Sequence, residues 1–105
     1  MAVKKQFDSF EDLLTQSPVP VLVDFYSVLC GPCRMMDPIL AQVQASLKNR
    51  LQIVKIDSEK YTDLASRYHI HALPTLMLFK QGQPVTRIEG VVPPEELIDR
   101  LKPLI

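Results

Sequence analysis

Residues 20–27, PVLVDFYS, form an almost unbroken apolar run rich in valine, and a few residues later Met36, Ile39, Leu40, Val43 and Leu47 recur at helical spacing. A run with no polar face to offer water suits a central strand covered on both sides. The stripe that follows needs cover on one side only, and predicts an amphipathic helix reaching about Asn49 with Pro32 near its first turn. A doubly buried strand that hands over to such a helix is the signature of an α/β fold. In open sheets of that kind, ligands and chemistry collect at the junction.

The rest of the chain keeps the alternation. Phe10, Leu13 and Leu14 have helical spacing, LQIVKID reads as a second buried strand, and YTDLASRY reads as a helix with Tyr61, Leu64, Ala65 and Tyr68 on one side. TLMLFK is a third strand, followed by a turn at Gln81-Gly82-Gln83-Pro84 and a hairpin partner in PVTRIEG. PPEELIDRLKPLI is a helix with prolines at its start, acids in its first turn and Pro103 near its end. The predicted order is β-α-β-α-β-α-β-β-α. No repeat, linker or low-complexity tract divides the 105 residues, so a single domain over 1–105 is expected.

Composition removes several partner classes. Twelve basic residues balance twelve acidic ones, so no net field draws the chain to nucleic acid or anionic lipid, and no apolar run is long enough to cross a bilayer. Neither nucleic acid nor membrane is expected among its partners. The start MAVKKQFDSFEDLL has no apolar h-region and no small-residue cleavage site. A cytoplasmic setting is therefore expected, or the plastid stroma where a transit peptide has been removed.

The only two cysteines, Cys30 and Cys33, stand at the strand-to-helix junction, separated by Gly31 and Pro32. A thiol at a helix N-terminus faces unpaired N–H groups and the positive end of the helix dipole, which favour the thiolate. Cys30 gains most from this. Cys33, a turn inside and better shielded, is close enough to attack a mixed disulfide formed on Cys30. A purely structural bridge would close too small a loop to stabilise the fold much. A zinc site asks for four ligands, and the chain adds only His69 and His71, which point to opposite sides if extended. Asp24 is the second unusual residue, a carboxylate inside VLVDFY on the side of Leu22 and Tyr26 and opposite Val23 and Phe25. Desolvation raises the pKa of such a group, and beside a dithiol it can exchange the proton of Cys33. An aspartate capping a turn is the alternative, and the neighbouring cysteines favour the proton relay. Lys55 on the adjacent strand is a candidate charge partner, though a lysine at a strand margin often reaches for solvent.

Together VDFYSVLCGPCRMMDPIL, IVKID, ALPTLMLFKQG and the glycine of RIEGVVP resemble thioredoxin over essentially the whole chain. Within that family KKQFDSFEDLL, VKIDSEKY, ASRYHIHALPT and RIEGVVP are most similar to the y-type thioredoxins of plastids and cyanobacteria. The resemblance implies a thioredoxin fold, a central mixed five-stranded sheet flanked by four helices. It implies Cys30 as attacking thiol, Cys33 as resolving thiol and Asp24 as buried acid. It further implies a cis Leu73–Pro74 bond, and a substrate-facing surface built from Leu29, Gly31, Pro32, Leu73, Pro74, Gly90 and Val91. The activity implied is disulfide reduction in client proteins, peroxiredoxins among them. The resemblance also implies that the intrinsic dithiol serves in place of any cofactor or metal and that a ferredoxin- or NADPH-dependent reductase regenerates it; a monomer is expected.

The main departure from the family is Leu29, where a tryptophan usually precedes the first cysteine, and the chain contains no tryptophan at all. The helix terminus, the cysteine spacing and Asp24 are untouched, so exchange should survive while partner preference shifts. His69 and Ala72 replace glycines common in the family and read as surface and packing variation. An oxidant or isomerase, and a binding module that holds a partner without turnover, are the competing function classes.

Overall fold

The computed structural model describes residues 9–105. The PVLVDFYS run becomes β1 (Val21–Tyr26), an interior strand of a mixed sheet. On one side it pairs in parallel with β2 (Gln52–Asp57), and on the other antiparallel with β3 (Thr75–Lys80), which pairs antiparallel with β4 (Gln83–Glu89). The sheet thus has four strands among the described residues, in the order β2-β1-β3-β4, rather than five. The additional strand heading the predicted order falls on residues 1–8, outside those described.

Among the described residues four α-helices cover the sheet: α1 (Phe10–Gln16), α2 (Gly31–Leu47), α3 (Thr62–Arg67) and α4 (Pro94–Leu101). Alternation along β1 sorts the core into two layers. Leu22 faces Met36, Leu40 and Val43 of α2 and Leu97 and Leu101 of α4, while Val21, Val23 and Phe25 face Leu14 of α1 with Phe79 of β3. Each such side chain contributes roughly 1.5–3 kcal/mol by leaving water. In the second layer Phe10 and Tyr68 meet Phe79 edge-on, with ring centroids 5.9 and 5.3 Å away. Asp24 lies on the α2/α4 side with Leu22, as the strand's period requires.

Several local expectations are corrected. β2 is half-buried rather than buried, because it pairs only with β1 among the described residues. The α-helix of α2 stops at Leu47, and Lys48 takes a left-handed φ of 50° as a 3-10 turn continues to Arg50. Tyr61 is exposed just before α3 instead of joining Leu64 and Tyr68 against the core. Gln83 and Pro84 already belong to β4, which leaves Gln81 and Gly82 as the turn, both at positive φ.

Candidate active site

The turn from β1 to α2 is held by the backbone and the hydroxyl of Ser27. The Cys30 N–H donates to the Ser27 carbonyl at 3.1 Å, and the Leu29 N–H donates to Ser27 Oγ at 3.1 Å. Cys30 then takes the N-cap position of α2, its sulfur accepting the Cys33 N–H at 3.2 Å, with Pro32 in the first turn where a missing N–H costs nothing. The two cysteines are joined as a disulfide with Cα atoms 5.3 Å apart. Cys30 is half-buried and Cys33 only 4% exposed. Around Cys30, Leu29 is 83% exposed and Gly31 and Pro32 are open to solvent.

The strand register brings the other expected surface residues to this end of the sheet. Thr75 opens β3 opposite Phe25 and pairs with Glu89, so Leu73, Pro74, Gly90 and Val91 emerge where β1 runs into the cysteines. The Leu73–Pro74 bond is cis, and the Gly90 N–H donates to the Pro74 carbonyl at 2.9 Å. Pro74 is buried, Leu73 and Gly90 are half-buried and Val91 is exposed.

Behind the exposed rim one acid is buried in the core. Asp24 has no exposed surface and neither carboxylate oxygen has a hydrogen-bond partner among the described residues. Burial raises its pKa from 3.8 to about 6, with the Lys55 cation opposing and the Asp37 carboxylate adding to the rise. Lys55 stands opposite Asp24 in the β1–β2 register, but its Nζ bonds Asp37 at 2.6 Å and lies 4.7 Å from the centre of the Tyr26 ring. Its long stem carries the ammonium past the buried acid to the surface, where α2 offers an exposed carboxylate. That hydrogen bond is the main reason the lysine's pKa is raised above 10.5. Tyr26, Ser27, Cys33, Arg34, Asp37 and Lys55 line a hollow of about 170 Å³ that opens beside the inner cysteine.

A larger hollow, about 520 Å³ between α1 and α3, is lined by Phe10, Leu13, Tyr61 and Leu64 and holds neither cysteine nor Asp24. Among the described residues no group of three or more His, Cys, Asp or Glu could hold a metal ion. His69 and His71 do not point to opposite sides. His69 has a left-handed φ of 54°, which brings the rings to 6.3 Å between centroids.

Two features at this end of the sheet were not found by reading the sequence. Asp37 lies four residues beyond Cys33 on α2, so helical spacing alone places it on the same side as the inner thiol. Ser27 Oγ donates to Glu59 in the loop after β2, a contact across 32 positions that no local pattern signals.

A bonded cysteine pair at the head of a helix, the first cysteine half-buried and the second buried, is the arrangement of a thiol–disulfide oxidoreductase. Comparison with known proteins narrows the class, since the thioredoxin family profile matches residues 1–103. The chain belongs to the thioredoxin family, the disulfide reductases of this fold. It is 58% identical over 102 residues to a thioredoxin-like protein of Synechocystis sp., covering 97% of each chain. It is 54% identical over 101 residues to Thioredoxin Y1, chloroplastic, of Arabidopsis thaliana, where it covers 96% of this chain and 59% of that one. Among solved structures, oxidised mitochondrial thioredoxin 3 of Saccharomyces cerevisiae superposes with a TM-score of 0.81 at 33% identity, covering 90% of this chain and 86% of that one.

Proposed function

We propose that this chain, acting as one domain over residues 1–105, reduces protein disulfides with Cys30 as the attacking thiol and Cys33 as the resolving thiol. The observation that carries this reading is the asymmetry of the pair. Cys30 caps the helix at the surface, while Cys33 is enclosed beside the hollow that Asp37 and Lys55 share, and both of those groups act on Asp24. In the first step the Cys30 thiolate attacks a client disulfide, forming a mixed disulfide and releasing one client thiolate. Cys33 then gives its proton to Asp24 and attacks the Cys30 sulfur, releasing the second client thiolate and leaving Cys30–Cys33 oxidised. Two electrons pass to the client, and a reductase, ferredoxin- or NADPH-dependent, must return them.

Leu29, Gly31, Pro32, Leu73, Gly90 and Val91 form the client-facing surface in this reading, with Pro74 buried beneath them and the residue 73 backbone pairing with an extended client segment. The redox group is the dithiol itself, and the protein acts as a monomer. The chloroplast named for the Arabidopsis relative and the cyanobacterial origin of the Synechocystis one support a plastid stroma or cyanobacterial cytoplasm. Peroxiredoxins are candidate clients. A structural neighbour with a TM-score of 0.82 at 31% identity comes from work on thiol resolution in a yeast mitochondrial 1-Cys peroxiredoxin through the glutathione and thioredoxin systems.

Equilibration of the Cys30–Cys33 pair against a graded thiol buffer tests the reading, because about 30 mV corresponds to a tenfold change in the exchange equilibrium. A reversible potential at the reducing end of the dithiol scale is expected. A potential far toward the oxidising end would make the protein an oxidant or isomerase, and a pair that does not cycle would leave only a binding module.

A further inference from the structure

We propose that Ser27 and Glu59 form a latch that positions the turn carrying Leu29 and Cys30, making them positioning residues for the attacking thiol. Val28 and Leu29, 59% and 83% exposed, give this turn no packing of their own. It is held by hydrogen bonds that converge on Ser27, whose carbonyl accepts the Cys30 N–H and whose hydroxyl oxygen accepts the Leu29 N–H. A hydroxyl rotates freely unless its proton is engaged. Here the proton is donated to Glu59, which turns the oxygen's lone pairs toward the Leu29 amide.

Glu59 is itself aimed by the turn that follows β2. Its N–H donates to Asp57 Oδ1 at 2.9 Å, that of Lys60 to the same oxygen at 3.3 Å, and the Ser58 N–H donates to the Tyr26 carbonyl at 2.8 Å. The ends of β1 and β2 are thus tied together twice, by backbone at Tyr26 and by side chains at Ser27. Ser27 is only 5% exposed while Glu59 is exposed, so the bond reaches from the buried hydroxyl to a carboxylate at the surface, and its loss would leave a buried hydroxyl without that acceptor. The thiolate of a reduced Cys30 depends on where its sulfur sits relative to the first N–H groups of α2, and the latch fixes the residues immediately before that cap.

This inference rests on Cys30 being the attacking thiol, so the experiment reads the latch and the thiol separately. Amide hydrogen exchange at Leu29 and the pH profile of Cys30 alkylation by iodoacetamide would be measured in the reduced full chain and in Ser27→Ala, Glu59→Ala, Glu59→Gln and the double alanine variant. Each single alanine variant should speed Leu29 exchange about tenfold, in line with a hydrogen bond to a charged group. Each should also move the alkylation profile to higher pH. The double variant should be no worse than either single one, because both remove the same link. Glu59→Gln keeps an acceptor for the Ser27 proton and should retain most of the protection.

Unchanged Leu29 exchange in Ser27→Ala and Glu59→Ala would overturn the latch. Faster exchange with an unmoved alkylation profile would overturn its positioning role, and a Glu59→Gln profile as perturbed as that of Glu59→Ala would assign the effect to charge. Retention of disulfide reduction by Cys30→Ser would instead sink the assignment of the attacking thiol, and would leave the exchange result intact.

Discussion

Cys30 and Cys33 occupy one turn of α2, yet the regions they belong to have little in common. Outside, Leu29, Gly31 and Pro32 surround Cys30 with exposed, largely apolar surface. Inside, Cys33 adjoins a hollow lined by Asp37 and Lys55, with the Asp24 carboxyl, which has no hydrogen-bond partner among the described residues, buried in the same electrostatic neighbourhood. The proposed cycle would divide recognition and proton handling between the two sides of one disulfide. A change on the outer side, such as leucine in place of tryptophan before the first cysteine, leaves the inner groups untouched. Variation at residue 29 is therefore expected to leave the exchange chemistry intact, whereas variation at residue 24 is not.

Three substitutions test this division. The largest effect is expected from Cys33→Ser, which removes the resolving sulfur but leaves the outer side intact. Turnover should cease, and mass spectrometry after mixing with an oxidised client should find a stable adduct on Cys30. A variant that still turns over would show that the inner sulfur is dispensable.

Asp24→Asn removes the inner acid, and its effect is read in stability against pH. In the native state the carboxyl holds its proton up to about pH 6, while in the unfolded chain it loses it near 3.8. The native state binds more protons between those values, so this group lowers stability as pH rises through the interval and adds nothing further above it. The shift corresponds to about 3 kcal/mol at neutral pH. Urea unfolding should find the variant more stable than the parent at pH 8, with the difference opening between about pH 4 and 6. A variant less stable than the parent at pH 8 would mean that the carboxylate has a stabilising partner after all.

Leu29→Trp alters only the outer side and should have the smallest effect on chemistry. The potential should move by less than about 30 mV and small-disulfide reduction should hardly change, while KM for protein clients shifts. An increase of several orders of magnitude in small-disulfide reduction would erase the boundary between the two regions.

Much of this arrangement could be read before any coordinates. The valine-rich run became the doubly covered strand, the Met36–Leu47 stripe became the buried side of α2, and Asp24 fell on the side its position in the strand required. These succeeded because strand and helix periods are imposed by local backbone sterics, and the core-facing side follows from them. Less was legible at the margins. The half-burial of β2 depends on how many strands flank it, and the exposure of Tyr61 depends on where α3 begins. His69 looked like surface variation, but it sits at left-handed φ, and Arg87 of β4 donates to its carbonyl and to that of Tyr68. A non-glycine residue in that conformation costs roughly 1–2 kcal/mol, and hydrogen bonds of this kind help to offset it.

The sequence by itself determined the α/β layering, the position of a dithiol at a helix head and the presence of an acid inside the central strand, since all three are written in runs of adjacent residues. Only the tertiary structure decided that Lys55 bonds Asp37 rather than the acid opposite it, that Asp24 has no hydrogen-bond partner among the described residues, and that Ser27 is held by Glu59. Those pairings join residues 18 and 32 positions apart. Each is worth far less than the burial that sets the layers, so each is chosen only after strand register and helix packing have brought the groups together.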